Sequence, residues 1–506
     1  MKIRLIAPFA LALATTAYAH DGKDHAASEA AGKVGAEYMV MEVSASAPAA
    51  EPFLRGLALL HNFEYDRAAE AFREAQAADL DFVMAYWGEA MTHNHPLWEQ
   101  QDRDKALEIL ARLGPTRQAR RAKARTPREA MWLEAVETLY GEGTKEERDF
   151  LYLEKMRALH ESDPEDIDAR AFTGLAMLGT SHGGRQVPLY MKAAGLLEPG
   201  FSTHEMHPGI LHYLIHSYDD PVHAPLGARM AERYAVVAPD AGHAQHMVSH
   251  IFHALGDWEG SERANMLADA VVDRQRAARA REPSECGHYN EWLVYSLLQQ
   301  GKDASERVAR CRTQALAAIE AGSDRKLGYG PASSYTTMAL WQGVLTDDWP
   351  EALPIGGDSF LSPQFDMATA RLLSGRRDAA AAGAALADMK AIAAAMEAAL
   401  AAEDQLNTYT MPWVTRQIAQ GEALVALAQE REDEALAMLE AAGAAEAALP
   451  EVFGPPPMTM PSYEMLGLEL MLRGRGEEAA AAFDKALALA PGRRMSLHGL
   501  EMARPK

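Results

Sequence analysis

Cysteine is the scarcest informative residue in this 506-residue chain, with only Cys286 and Cys311 present. Two thiols exclude a disulfide-rich scaffold and a closed thiolate zinc knot, and they leave room for a single bridge. Basic charge is also short: 49 Lys and Arg stand against 72 Asp and Glu, a formal net charge of −23. So acidic a surface excludes nucleic acid or an anionic membrane as the main partner and favours cations. Aromatic residues are 7% of the chain. Runs of β-branched residues are few and Ala, Glu, Leu and Met abound, so helices are expected almost everywhere. Long apolar runs are missing too. The stretch from Leu5 to Thr16 is too short for a bilayer, and no other segment is read as reaching that length. Standard catalytic fingerprints are absent. "HEMH" at 204–207 has the wrong spacing for a HExxH zinc site, and there is no G-x-S-x-G elbow, phosphate loop, dinucleotide fingerprint or C-x-x-C.

What is present begins with a leader. Lys2 and Arg4 precede the apolar run, and Ala17-Tyr18-Ala19 is a small-x-small cleavage site, so residues 1–19 read as a secretory signal cut after Ala19. The expected destination is the periplasm or beyond. In such an oxidising compartment Cys286 and Cys311 are expected to pair as a structural staple. Cleavage there would make His20 the new N-terminus, whose amine and imidazole could chelate copper. Residues 20–47, rich in Ala, Ser and Gly, read as a flexible tether.

Beyond residue 47 the chain is periodic. "GLALLHNFEYDRAAEAFREAQAADLDF" carries Gly56, Ala68, Phe72 and Ala75. "PSYEMLGLELMLRGRGEEAAAAFDKALALAPGR" carries Gly467, Ala479, Phe483 and Ala486 at matching offsets. Both stretches resemble the tetratricopeptide repeat, a 34-residue helix-turn-helix. The resemblance implies an all-α, TPR-like α-α superhelix (solenoid) over residues 48–506. His212 and His246 stand 34 residues apart, as do His216 and His250, so "HPGILHYLIHSYDD" and "GHAQHMVSHIFHAL" are equivalent helices of neighbouring repeats. "GHYNEWLVYSLLQQGKD" is a third equivalent, placing the His-rich repeats at about 166–312. Together these segments are similar to a group of exported bacterial tetratricopeptide-repeat proteins, for which fold and export, not a reaction, are implied.

The central stripe raises the functional question. Nine of 18 histidines fall between residues 204 and 253. His212/His216 and His246/His250 are i,i+4 pairs, each able to direct two imidazoles at one ion. In the family resembled, the second, fifth, ninth and twelfth residues of each first helix line the concave groove, and the histidines fall at these places. A metal site on the groove wall is therefore expected, with His212, His216, His246, His250, His288 and Glu291 as ligands. Asp219, Asp220, His207, His243, His253 and His182 are candidate supporting or groove residues. His207 and His182 also suit caps or turns, and "THNHPLW" with His93, His95 and Trp98 suits a wall or a packed loop.

The lack of thiolates and the few carboxylates point to a divalent transition metal, Cu or Zn foremost and Fe as a further choice. Three functions stay open: a metal-dependent hydrolase or oxidase with Glu291 as base and Tyr295 as donor, non-catalytic copper or zinc handling, and a scaffold binding a peptide or small molecule in the groove.

Overall fold

The computed structural model describes residues 32–322, 330–402, 410–450 and 452–504. The leader, its cleavage site and His20 lie outside the described residues. Among those described, the regular structure is helical apart from one hairpin, Asn94–His95 paired antiparallel with Gln100–Gln101. The protein is all-α and built of TPR-like helix pairs. Its contacts group into two compact units, an N-terminal one within residues 24–251 plus 270–281, and a C-terminal one within 252–269 plus 282–506.

In the N-terminal unit, antiparallel neighbours pack as hairpins: Ala47–His61 on Tyr65–Ala78, Pro127–Leu139 on Lys145–Ser162, Ile167–Leu178 on Val187–Thr203, and Pro208–Tyr218 on Ala224–Val237. The first pair shows why small residues recur. A Cβ on Gly56 would come within 2.9 Å of the Phe72 ring, and Ala68 and Ala75 beside it are fully buried. Local chemistry starts the later helices. Thr144 and Glu147 form a reciprocal capping box, and Asp166 accepts from the Ala169 N–H.

Residues 32–46 correct the picture of a tether free up to residue 47. Val34, Met39 and Met41 are buried. The Lys33 N–H donates to Asp240 at 2.8 Å, and Asn62 Nδ2 donates to the Val34 carbonyl at 2.8 Å. Three apolar anchors within an otherwise small, polar stretch are enough to dock it.

The C-terminal unit repeats the glycine device: a Cβ on Gly467 of Ser462–Leu472 would lie 2.6 Å from Phe483 of Gly476–Leu489. Cys286 and Cys311 are joined as a disulfide, with Cα atoms 4.9 Å apart. Helix Ala379–Ala402 departs from the reading that no segment of the chain reaches the length and apolarity of a membrane span. By length and composition this helix is apolar enough to cross a membrane. One face of it nonetheless sits in the unit's core, where Ala382, Ala385, Met389, Ala393 and Met396 pack with Leu372, Leu373 and Leu424.

Candidate metal centre

Helix Pro208–Tyr218 begins where His207 accepts from the Ile210 N–H through Nδ1, with Pro208 in the first turn. One turn on come His212 and His216, 0% and 2% exposed, whose Nε2 atoms stand 3.0 Å apart. Helix Gly242–Leu255 carries His243, His246 and His250. The two helices face one another across their histidines. One ligand nitrogen from each of His212, His216 and His243 falls within 4.8 Å of the others. The His216 and His250 ring centroids are 5.9 Å apart, and the Nε2 atoms of His246 and His250 are 3.1 Å apart. Five imidazoles from neighbouring repeats thus converge inside the N-terminal unit.

Two of the rings have their proton positions dictated by acceptors. His212 Nδ1 lies 2.6 Å from the backbone carbonyl of His61. A carbonyl can only accept, so Nδ1 carries the hydrogen and the neutral ring presents a lone pair at Nε2. His250 Nδ1 lies 2.5 Å from Asp219, which turns its Nε2 toward His246 in the same way. Burial lowers the pKa of His212 to about 3, against a raising contribution from the His61 carbonyl. His216 is held well below the ordinary value by burial and then by the neighbouring His212. His212 and His216 are therefore neutral at neutral pH, the state in which imidazole binds a metal.

Burial is where the arrangement departs from the expected groove wall. His212, His216, His243, His246 and His250 are all less than 9% exposed. Phe63 packs against three of them, its ring centroid 4.4 Å from that of His212, 5.4 Å from that of His243 and 6.0 Å from that of His216. Trp98, from the turn inside the small hairpin, approaches His243 at 6.1 Å. His95 in that hairpin stacks on Tyr65 at 4.0 Å, so the "THNHPLW" segment forms a packed wall. Phe63 follows the helix end at Asn62 with φ of 56°, a left-handed conformation that costs a non-glycine residue about 1–2 kcal/mol. A strained aromatic therefore packs against the rings of His212, His216 and His243.

A second histidine group occurs in the same unit. His61 Nε2 and His207 Nε2 both reach Asp168 Oδ1, at 3.0 and 3.2 Å. His61 Nδ1 is 2.9 Å from the Tyr213 hydroxyl. A Cβ on Gly209 would overlap the His61 ring, which accounts for the glycine of "HPG". Burial lowers the pKa of His61 to about 4, opposed by its bond to Asp168. Burial would raise the Asp168 carboxyl, but hydrogen bonds from His207 and His61 more than offset it and hold it below the ordinary carboxylate range.

The remaining predicted residues are placed as follows. Asp219 supports His250, whereas Asp220 accepts from Arg185 at 2.8 Å and from the His223 N–H at 2.9 Å. His182 sits 3.3 Å from Asp149 in a turn. His253, His288, Glu291 and Tyr295 belong to the C-terminal unit. There His253 packs on Trp258, Trp292 and Tyr295, and His288 packs on Trp292. Glu291 is buried near Asp366, whose carboxyl is pushed up to about 7 by burial and then by the Glu291 charge. The Tyr295 hydroxyl accepts from Arg493 at 2.9 Å, within a buried pair of Arg493 and Glu464. Sequence spacing did not reveal His61, Phe63 or Asp168. Each is a single residue without a periodic partner, and His61 meets His212 across 151 positions.

No family model matches the chain, and no curated protein matches it. Solved structures do align over most of its length. The APC/C hetero-tetramer Cut9-Hcn1 is 12% identical over 90% of this chain and 76% of that one, with a TM-score of 0.35. IFIT1, as a monomeric mutant with Gppp-AAAA, is 11% identical over 93% of each chain, at 0.31. Yeast Tom70 is 13% identical over 90% of this chain and 94% of that one, at 0.27.

Proposed function

We propose that the N-terminal unit binds a transition-metal ion through His212, His216 and His243, with His246 and His250 completing the centre or holding a second ion beside it. The observation that carries this reading is the pair of fixed tautomers. The His61 carbonyl and the Asp219 carboxylate take the Nδ1 hydrogens of His212 and His250 and leave Nε2 lone pairs directed at the cluster. Metal-ligating histidines are usually held by such a second bond. The spacing agrees as well. Two nitrogens bound to one ion at about 2.0–2.1 Å stand about 3–3.4 Å apart, depending on the angle, and the two i,i+4 pairs are at 3.0 and 3.1 Å.

An all-imidazole donor set suits Cu or Zn, and suits Fe less well without a carboxylate. Storage or transfer fits better than turnover: the rings are buried, and Tyr295 is engaged by Arg493. If the leader read from the sequence directs export, this metal handling would take place in the periplasm. Protein purified from that compartment without chelator should contain stoichiometric Cu or Zn by elemental mass spectrometry. The double variant His212→Ala, His216→Ala should contain none. If metal-free wild type takes up neither Cu(II) nor Zn(II), the imidazoles serve as a hydrogen-bonded packing network and the helix pairs as a scaffold.

A further inference from the structure

We infer that Asp168 and His61 are positioning residues for the metal centre: they hold the His61 carbonyl that fixes the tautomer and direction of His212. The inference rests on the metal reading above and adds residues outside the histidine stripe.

His61 is the last residue of helix Ala47–His61, and the last carbonyls of any helix have no partner one turn ahead. Here the Asn62, Phe63 and Glu64 N–H groups return to Ala58, Leu60 and Leu59. The His61 carbonyl instead accepts from His212 Nδ1 at 2.6 Å. It lies at the negative end of the helix dipole, so it makes His212 a better donor through Nε2. The direction of that carbonyl depends on where residue 61 is anchored. Its ring is tied at both nitrogens, to Asp168 at 3.0 Å and to the Tyr213 hydroxyl at 2.9 Å, and it sits in the space that a side chain at residue 209 would fill.

The Asp168 group has the spacing of a metal site itself, with one ring nitrogen of His61, one of His207 and a carboxylate oxygen within 4.8 Å of one another. Its hydrogens argue otherwise. His207 Nδ1 accepts from the Ile210 N–H at 3.3 Å, so the hydrogen of the neutral ring sits on Nε2 and points at Asp168. That nitrogen has no lone pair for an ion. The carboxylate orients His61 rather than coordinating a metal.

The test uses the full chain loaded with Cu(II) alone, comparing wild type with Asp168→Asn and the near-isosteric Tyr213→Phe, which keeps the fold if the first variant does not. Expected is a 10–100-fold weaker Cu(II) affinity for Asp168→Asn, a smaller loss for Tyr213→Phe, and altered Cu(II) paramagnetic-resonance parameters in both. A group that only stabilises the fold would lower the melting temperature while leaving affinity and spectrum of the folded protein unchanged; that result overturns the inference. Loss of a bound ion in His207→Gln would also overturn it, by showing that the Asp168 group coordinates. Wild type that binds no Cu(II) removes the centre itself, a pattern distinct from wild type and variants binding alike.

Discussion

Two histidine groups lie in one compact unit, equally buried and with the same ligand-atom spacing, yet their hydrogens sort them into different roles. Around His212 and His250, acceptors outside the cluster take the Nδ1 hydrogens and the inner nitrogens are left as lone pairs. Around Asp168, an N–H donor takes the outer lone pair of His207, and the inner nitrogens of both rings carry hydrogens. Proximity of imidazoles and carboxylates therefore does not define a metal site. The partner on the far side of each ring decides.

The contrast can be broken most severely at Asp168. Replacing it with Ala strips two buried imidazole N–H groups of their acceptor and should destabilise the N-terminal unit by about 3–5 kcal/mol, read by urea unfolding. Equal stability of Asp168→Ala and wild type would mean that the buried carboxylate is replaceable by water. Next in size, His212→Ala should weaken Cu(II) or Zn(II) binding by more than about 100-fold, beyond the loss typical of an outer partner. His207→Gln should leave that affinity within about threefold, and competition with a chelator measures both. Similar losses in the two variants would erase the distinction.

Buried carboxylates sharpen the same lesson through pH. Asp168 has two imidazole donors and is held as an anion, whereas Glu446 of the C-terminal unit, served by Ser462, is pushed up to about 7 by burial. A raised folded value means that the native state binds the extra proton. Its contribution is fully present below the unfolded value near 4.5 and is lost as pH rises toward 7. Glu446→Gln should flatten the pH dependence of stability across that window, by about 3 kcal/mol from end to end. An unchanged slope would show that Glu446 is ionised in the native state. Smallest is Asp219→Asn, which keeps an acceptor near His250 but removes the charge. Metal affinity should fall about tenfold, and an unaltered Kd would leave Asp219 a role in packing only.

Much of the helical architecture was legible because glycine, alanine and phenylalanine recur at the offsets that hairpins need, as Gly56 with Phe72 and Gly467 with Phe483 show. The 34-residue spacing of His212 and His246 likewise anticipated that their helices would be neighbours. Periodicity names a face, however, and does not say whether solvent reaches it. The imidazoles read as groove-lining because polar groups resist burial, and that argument lacked Phe63, which packs on them, and the His61 carbonyl, which satisfies His212; Asp219 was anticipated as a supporting residue and does serve His250. His243 was underrated for a related reason. Equivalence between repeats favoured the paired positions, while its actual neighbours are His212 and Phe63. Asp168 and His61, 107 positions apart, carry no local signal that could join them.

The left-handed turn at Phe63 has a kinetic consequence. With these imidazoles nearly excluded from solvent and Phe63 packed against three of them, an ion whose route to the rings passes this helix end would wait for it to loosen, or arrive before the chain closes around it. Uptake and escape would then run at the tempo of that local opening rather than of ligand exchange in water, so an ion captured during folding would stay with the protein long after its surroundings had changed.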